Sequence, residues 1–342
     1  MRAVAWDPHD RLLQLIDQTL LPLEHQVVYL GTVDEVVDAI HRLVVRGAPA
    51  LGAAGAYGVA IAMLQGEREG WGRERLAVEV GRIRNARPTA VNLAWGVERT
   101  ARRIPEGLEA VIAEADALVA QDRAANRELS RMGADWILAR TGRLTLNVLT
   151  HCNAGALATT GWGTALGIVR ELHVRGALGR VYVDETRPLL QGSRLTAWEL
   201  EQEGIDCVVQ VDGAAASTIL RGLVDVAVIG ADRIARNGDT ANKIGSVGVA
   251  LACADAAIPF VVAAPWSTVD LDTASGAQIP IELRDESEVV CFTGTATAPA
   301  NVLGFNPAFD VTPARLISAI VTERGLVEPP SMMTVVASEE MS

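Results

Sequence analysis

A thiol and a carboxylate, each just beyond a short apolar run, are the residues of this sequence best placed for proton chemistry. Cys152 lies in Thr150-His151-Cys152-Asn153, behind the apolar run Leu144 to Leu149. Asp232 lies in Gly230-Ala231-Asp232-Arg233, behind Val226-Ala227-Val228-Ile229. An acid at the lip of an apolar strand is partly desolvated, which suits general acid–base work. A cysteine between a strand and a helix-like segment is expected at a helix N-terminus, which favours a thiolate. The alternatives are an inert buried thiol and a turn or capping aspartate. Cys207, Cys253 and Cys291 sit within or beside apolar segments and read as packing residues.

Other polar clusters close further apolar runs: Asp184-Glu185-Thr186-Arg187, Asp212, and Pro265-Trp266-Ser267-Thr268. Three cations precede expected helix starts: Arg46 before Gly47-Ala48-Pro49, Arg87 before Pro88-Thr89, and Lys243 before Ile244-Gly245. Unpaired amides at a helix start attract anions, and an adjacent cation adds charge. Each could equally be a solvated surface cation. Together they fit a phosphate.

The elements that must carry these residues fall into two regions. Up to about Thr141 the sequence is mainly helical. Thr32-Val33-Asp34-Glu35 has capping-box spacing, and a long helix is expected over Leu108 to Arg140. From Leu144 short runs rich in Val and Ile alternate with helices of small residues. The runs are Leu144 to Leu149, Val181 to Val183, Cys207 to Val211, Val224 to Ile229 and Phe260 to Ala264. Such alternation implies a parallel sheet covered on both faces. Ligands of open parallel sheets bind beyond the carboxyl ends of the strands, where the polar clusters lie. The expected fold is α/β: a mainly helical N-terminal domain (1–141), a Rossmann-like doubly wound parallel-sheet catalytic domain (142–328) and a flexible tail (329–342).

The chain has 342 residues, 49% hydrophobic and 21% charged, with a net charge of −12. That charge argues against a nucleic-acid binder, which carries a basic face. No Cys pair has C-x-x-C spacing, and the five histidines are scattered without an H-x-x-x-H pair, so no metal is expected. Gly161-Trp162-Gly163 with Gly167 imitates a dinucleotide fingerprint. Its spacing is wrong and it begins after intervening loop rather than at a strand end, so no nicotinamide cofactor is expected either. Met1 to Asp10 carries no apolar signal-peptide core. Ala48 to Leu64, rich in Gly and Ala and containing Pro49, reads as a buried helix rather than a membrane span. A cytoplasmic location is the expectation.

The clusters together resemble the motifs of methylthioribose-1-phosphate isomerases. They include Arg46-Gly47-Ala48-Pro49-Ala50-Leu51-Gly52, Arg87-Pro88-Thr89-Ala90-Val91-Asn92-Leu93 and Thr150-His151-Cys152-Asn153-Ala154-Gly155. Also similar are Asp184 to Pro188 with Gln191-Gly192, Leu195 to Leu200, Gly230 to Ile234, Asn242 to Gly245 and Asn306 to Pro313. Trp6-Asp7-Pro8 opens a likeness that runs from about residue 4 to 328. The resemblance implies conversion of 5-methylthioribose 1-phosphate to 5-methylthioribulose 1-phosphate in methionine salvage. It implies Asp232 as proton donor and Cys152 as a transition-state support or proton shuttle. Arg46, Gly47, Ala48, Arg87, Gln191, Asn242 and Lys243 would hold the sugar phosphate, in a homodimer without a cofactor. Ribose-1,5-bisphosphate isomerases and the regulatory subunits of a translation-initiation exchange factor share the fold and remain alternatives. One departure stands out. The run Gly213-Ala214-Ala215-Ala216-Ser217 replaces a bulkier family segment, which puts the apolar side of the pocket in question.

Overall fold

In the computed structural model the described residues are 2–88 and 90–328. Thr89 of the Arg87 motif and the tail 329–342, expected to be flexible, lie outside them. The chain divides into two compact units. One comprises residues up to Glu128 together with Ala154–Gly167; the other comprises Leu129–Asn153 and everything from Ile168 onward.

The first unit opens with an antiparallel sheet of β1 (Val4–Asp7), β2 (Leu12–Ile16) and β3 (Val27–Leu30), in that order. Helix α1 (Val33–His41) follows. Thr32 caps it through its hydroxyl, and the Glu35 side chain bonds back to the Thr32 N–H, so the capping box forms as its spacing predicts. Next come α2 (Ala48–Glu69), α3 (Arg73–Arg84), α4 (Val91–Ala101) and the start of α5 (Leu108–Thr141). Helix α2 is long and apolar enough to cross a bilayer, but most of it is buried inside the unit. Small residues let it pack tightly. A β-carbon on Gly96 of α4 would collide with the backbone of Gly52 in α2.

The second unit is built on a seven-stranded sheet. In chain order its elements are β4 (Leu146–Thr150), α6 (Ala165–Val174), β5 (Leu178–Asp184), α7 (Ala197–Gln202), β6 (Cys207–Gln210), α8 (Ala215–Leu220) and β7 (Val226–Ile229). Then follow β8 (Arg233–Ala235), β9 (Thr240–Lys243), α9 (Ser246–Asp255), β10 (Phe260–Ala263) and the two-residue β11 (Val269–Asp270). The chain closes with α10 (Ser287–Val290), the small hairpin β12 (Cys291–Phe292) and β13 (Thr295–Ala296), then β14 (Phe309–Thr312), β15 (Ala319–Thr322) and β16 (Gly325–Val327).

The sheet order is β16-β15-β10-β7-β4-β5-β6. All neighbours are parallel except the edge strand β16. Strands β7 and β10 are buried at every residue, as expected of strands covered on both faces. The first strand, β4, lies between β5 and β7, so the order reverses there. In open parallel sheets ligands bind at such a reversal, here the carboxyl ends of β4 and β7.

One region departs from the sequence expectation. The apolar runs predict no strand between Asp232 and the helix after Lys243, but the chain there joins a second sheet, β11-β8-β9-β14, in which Lys243 is the last residue of β9. These strands mix polar and apolar residues, and β14 joins them from more than sixty positions downstream, so no local run announces them.

The approach of α2 and α4 gives a direct test. Gly96→Ala should destabilise the fold by about 1–3 kcal/mol, the usual cost of overpacking. The measure is the denaturant-unfolding midpoint, and an unchanged midpoint would contradict the packing described.

Candidate active site

Leaving β4, the chain does not enter a helix. Cys152 lies in a turn, and α6 begins only at Ala165. The sequence expectation of a thiol at a helix N-terminus is therefore corrected: Gly155, Gly161 and Gly163 prolong an irregular segment in between. Cys152 is buried and has φ 64°, a left-handed backbone in which a β-carbon crowds the following carbonyl. Two threonine hydroxyls hold it there. The Cys152 N–H donates to Thr186 Oγ1 at 2.8 Å, and the Thr196 hydroxyl donates to the Cys152 carbonyl at 2.6 Å.

Each threonine is fixed in turn. The N–H groups of Thr186 and Arg187 donate to the two oxygens of Asp212, both at 2.7 Å. Thr196 ends a wide turn of π type, Gly192–Thr196, that leads into α7. Its hydroxyl also accepts from Asn153 Nδ2, which donates to Glu199 Oε1 at 2.9 Å. Glu199, fully buried, accepts from Arg170, which also bonds Glu203. Burial disfavours the Arg170 cation, but the two glutamates outweigh it and hold its pKa above the ordinary value. Gln191 opens the same turn. It is 5% exposed, and its Oε1 has no partner among the described residues. That oxygen is free to accept from a ligand hydroxyl.

His151, which the sequence analysis does not single out, lies at the centre of a buried polar cluster. Its Nδ1 lies 2.9 Å from Asp184 Oδ2 and its Nε2 lies 2.8 Å from the Ile244 carbonyl. With Asp184 and Asp212 it forms a cluster whose oxygen and nitrogen atoms lie within 4.8 Å of one another, close enough to surround a metal ion. The lone pairs are already engaged, however. Both Asp212 oxygens accept backbone N–H groups, Asp184 Oδ1 accepts from Gln210 at 2.8 Å, and both His151 nitrogens face acceptors. The donor set suits an internal ion pair better than a metal. A signal was available: Thr150, Asp184 and Gln210 close three strands adjacent in a parallel sheet, so the residues beside them had to meet.

Asp232 follows β7 and precedes β8. It is half-buried, and its N–H donates to the Ala241 carbonyl at 2.9 Å. Asn242 and Lys243 end β9, both buried. Asn242 Nδ2 donates to Ser246 Oγ. Lys243 Nζ donates to the Ala308 carbonyl at 2.9 Å and lies over the Phe309 ring. The helix start beyond Lys243 is not an open anion site. The N–H groups of Gly245 and Val247 donate to Asp310 Oδ2 at 2.8 and 3.2 Å. Burial raises the pKa of Asp310 despite those bonds. In the run expected to reshape the pocket, Ala215 is buried, and Gly213, Ala216 and Ser217 are exposed.

The remaining expected residues belong to the first unit. Arg46 is buried, and its Nε donates to Gln18 Oε1. Gly47 caps α2 with φ 93°, a conformation natural to glycine. A β-carbon there would strike Ala158. Ala48 and Pro49 open the helix. The Ala50 N–H donates to the Ala158 carbonyl and the Leu51 N–H to the Gly47 carbonyl. Among the described residues the Gly47 and Ala48 amides have no partner, as an anion site requires. Arg87 is half-buried in the turn before α4.

A family model described as "Initiation factor 2 subunit family" matches residues 44–329. The chain belongs to that family. Within it the chain stands among the methylthioribose-1-phosphate isomerases. The protein of that name from Anaeromyxobacter dehalogenans (strain 2CP-C) is 51% identical over 330 residues, 96% of this chain and 95% of the relative. A crystal structure of 5-methylthioribose 1-phosphate isomerase from Pyrococcus horikoshii OT3 superposes with a TM-score of 0.89 at 38% identity, covering 100% of this chain and 96% of that one. A structure described as the translation initiation factor eIF-2B, subunit delta, from A. fulgidus has a TM-score of 0.86 at 40% identity, covering 98% and 99%.

The hold on the cysteine turn can be tested apart from chemistry. Thr196→Val keeps the side-chain volume but removes the hydroxyl that donates to the Cys152 carbonyl and accepts from the Asn153 amide. It should cost about 1–3 kcal/mol of stability, the penalty for buried polar groups left unsatisfied. Equilibrium unfolding measures this, and a neutral effect would show that the turn does not depend on that hydroxyl.

Proposed function

We propose that this chain converts 5-methylthioribose 1-phosphate to 5-methylthioribulose 1-phosphate, with Asp232 and Cys152 as the reacting pair. The observation that carries the reading is their position. They follow β7 and β4, neighbouring strands on either side of the point where the strand order reverses, in a chain alike over 96% of its length to an enzyme of that name. The phosphate on the anomeric oxygen prevents ring opening from a free hydroxyl. A proton must therefore reach the ring oxygen as its bond to C1 breaks, and hydrogen must move from C2 to C1. Asp232 is the proton donor. Cys152, locked in its turn, supports the transition state or relays a proton. Arg46, Gly47, Ala48, Arg87, Gln191, Asn242 and Lys243 bind the substrate: the cations and the two amides suit the phosphate, and the Gln191 oxygen suits a hydroxyl.

A second reading has a specific support. The A. fulgidus structure, described as a translation-initiation subunit, is nearly as similar as the isomerase structure. A binding subunit, however, has no need of a cysteine held at a strained backbone angle after one strand and an acid after its neighbour. Purified protein should isomerise methylthioribose 1-phosphate with a higher kcat/KM than ribose 1,5-bisphosphate. The reverse order would reassign the substrate, and no turnover of either would favour the binding subunit. Cys152→Ser and Asp232→Asn should each lower kcat by at least about 100-fold with the fold intact, the low end for a positioned acid or base. Lys243→Ala should act mainly on KM. Near-normal kcat in both conservative variants would remove the mechanism.

We further propose a cytoplasmic homodimer. The family resemblance supports the dimer, and four cysteines, none of them in a disulfide, suit a reducing compartment. Sedimentation at micromolar concentration should give twice the chain mass; a monomer mass would overturn the dimer.

A further inference from the structure

His151 directly precedes Cys152, and its side chain is 1% exposed. Its ring faces two acceptors on different elements: Asp184 at the end of β5 and the Ile244 carbonyl in the β9–α9 loop. A carbonyl oxygen can only accept, so Nε2 carries a proton. A neutral ring would then turn the Nδ1 lone pair toward a carboxylate, and the contact would hold only if Asp184 were protonated instead. The surroundings choose the charged ring. Asp184 Oδ1 already accepts from Gln210, the carboxylate of Asp212 lies within 4.8 Å, and Asp310 on β14 adds a further acid in electrostatic reach. Burial works against the cation. The hydrogen bond and charge of Asp184, then the charge of Asp212 and the Ile244 carbonyl, outweigh it and hold the imidazole pKa above its usual value.

The loop is shaped around the ring. Gly245 has φ 110°, and a β-carbon there would lie 2.7 Å from His151 Cε1. Asp310 grips the same loop through the Gly245 and Val247 amides. The geometry points to His151 as a positioning residue: an imidazolium whose two N–H donors hold the end of β5 and the loop that follows Asn242 and Lys243 to the turn that carries Cys152. A neutral ring protonated on Nε2 would keep the loop but turn a lone pair toward Asp184, so only the charged ring donates to both. The joint hold on β5 and the loop therefore depends on charge, and it links the proposed reacting thiol to the proposed phosphate cation without touching substrate.

Two measurements test this, and the second rests on the isomerase reading while the first does not. The other four histidines are exposed, so the ring whose N–H protons resist solvent exchange is that of His151. In ¹⁵N-labelled wild-type protein at pH about 8, above the ordinary histidine pKa of about 6.5, both of its nitrogens should report as protonated. A single neutral tautomer, or titration near that ordinary value, would overturn the proposal even if His151→Asn failed to fold. In the folded variants His151→Asn and Lys243→Ala, kcat/KM should fall by on the order of 100-fold each, as for misplacement of about 1 Å, with KM taking most of the His151→Asn loss. Because His151 acts through the Lys243 loop, the double variant should be at least about tenfold better than the product of the two losses. Independent, multiplicative losses would show that the loop does not depend on His151. Absence of turnover in the wild type would sink the substrate assignment and leave the NMR result standing.

Discussion

A side chain in left-handed backbone costs about 1–2 kcal/mol, and it persists only where neighbours over-determine it. Cys152 is such a residue, and the carboxyl edge of the sheet is organised around keeping it there. Thr186, which receives the Cys152 N–H, is itself left-handed at φ 66° and is held by Asp212. Leu190, just before Gln191, is a third at φ 58°. Three strained positions within forty residues stand on one web of hydrogen bonds. Any one of them is affordable because the others are fixed.

The web and the sheet beneath it obey different physics. The sheet is generic: Val226–Ile229 and Phe260–Ala263 are buried throughout, and apolar residues of similar volume could replace one another at small cost. The web is not. Arg170, Glu199, His151 and Asp184 are charged groups out of water, and their mutual attraction does little more than repay desolvation. Losing one member leaves a buried charge, at about 3–5 kcal/mol. What the web returns for that exposure to damage is a fixed thiol turn and a fixed Lys243 loop.

This division explains what the sequence discloses. Strands β7 and β10 declare themselves as apolar runs because burial on both faces leaves no polar position; β4, β5 and the edge strand β6 carry polar residues but keep enough apolar ones to read as strands. The capping box at Thr32 and Glu35 declares itself because both partners lie within one helical turn. Cys152 and Asp232 stand out because each is a reactive type next to such a run. The strands β8, β9 and β14 do not, since Thr240-Ala241-Asn242-Lys243 has no periodicity and its partner strand begins at Phe309. His151 escapes for the same reason: Asp184 and Ile244 lie 33 and 93 positions away. Local windows see propensity, and they do not see which strand ends a parallel sheet brings side by side.

The helix starts show how the same local signal can mean opposite things. Arg46-Gly47-Ala48 and Lys243-Ile244-Gly245 both read as a cation before a glycine and a helix. At α2 the Gly47 and Ala48 amides have no partner among the described residues, so the helix end itself can meet an anion. At α9 the chain supplies its own anion, Asp310, which takes the amides of Gly245 and Val247. A phosphate near Lys243 would meet a helix end already neutralised, so the ammonium group must provide the attraction there. That group is itself held by the Ala308 carbonyl and the Phe309 ring. The difference was set by one aspartate 65 positions downstream.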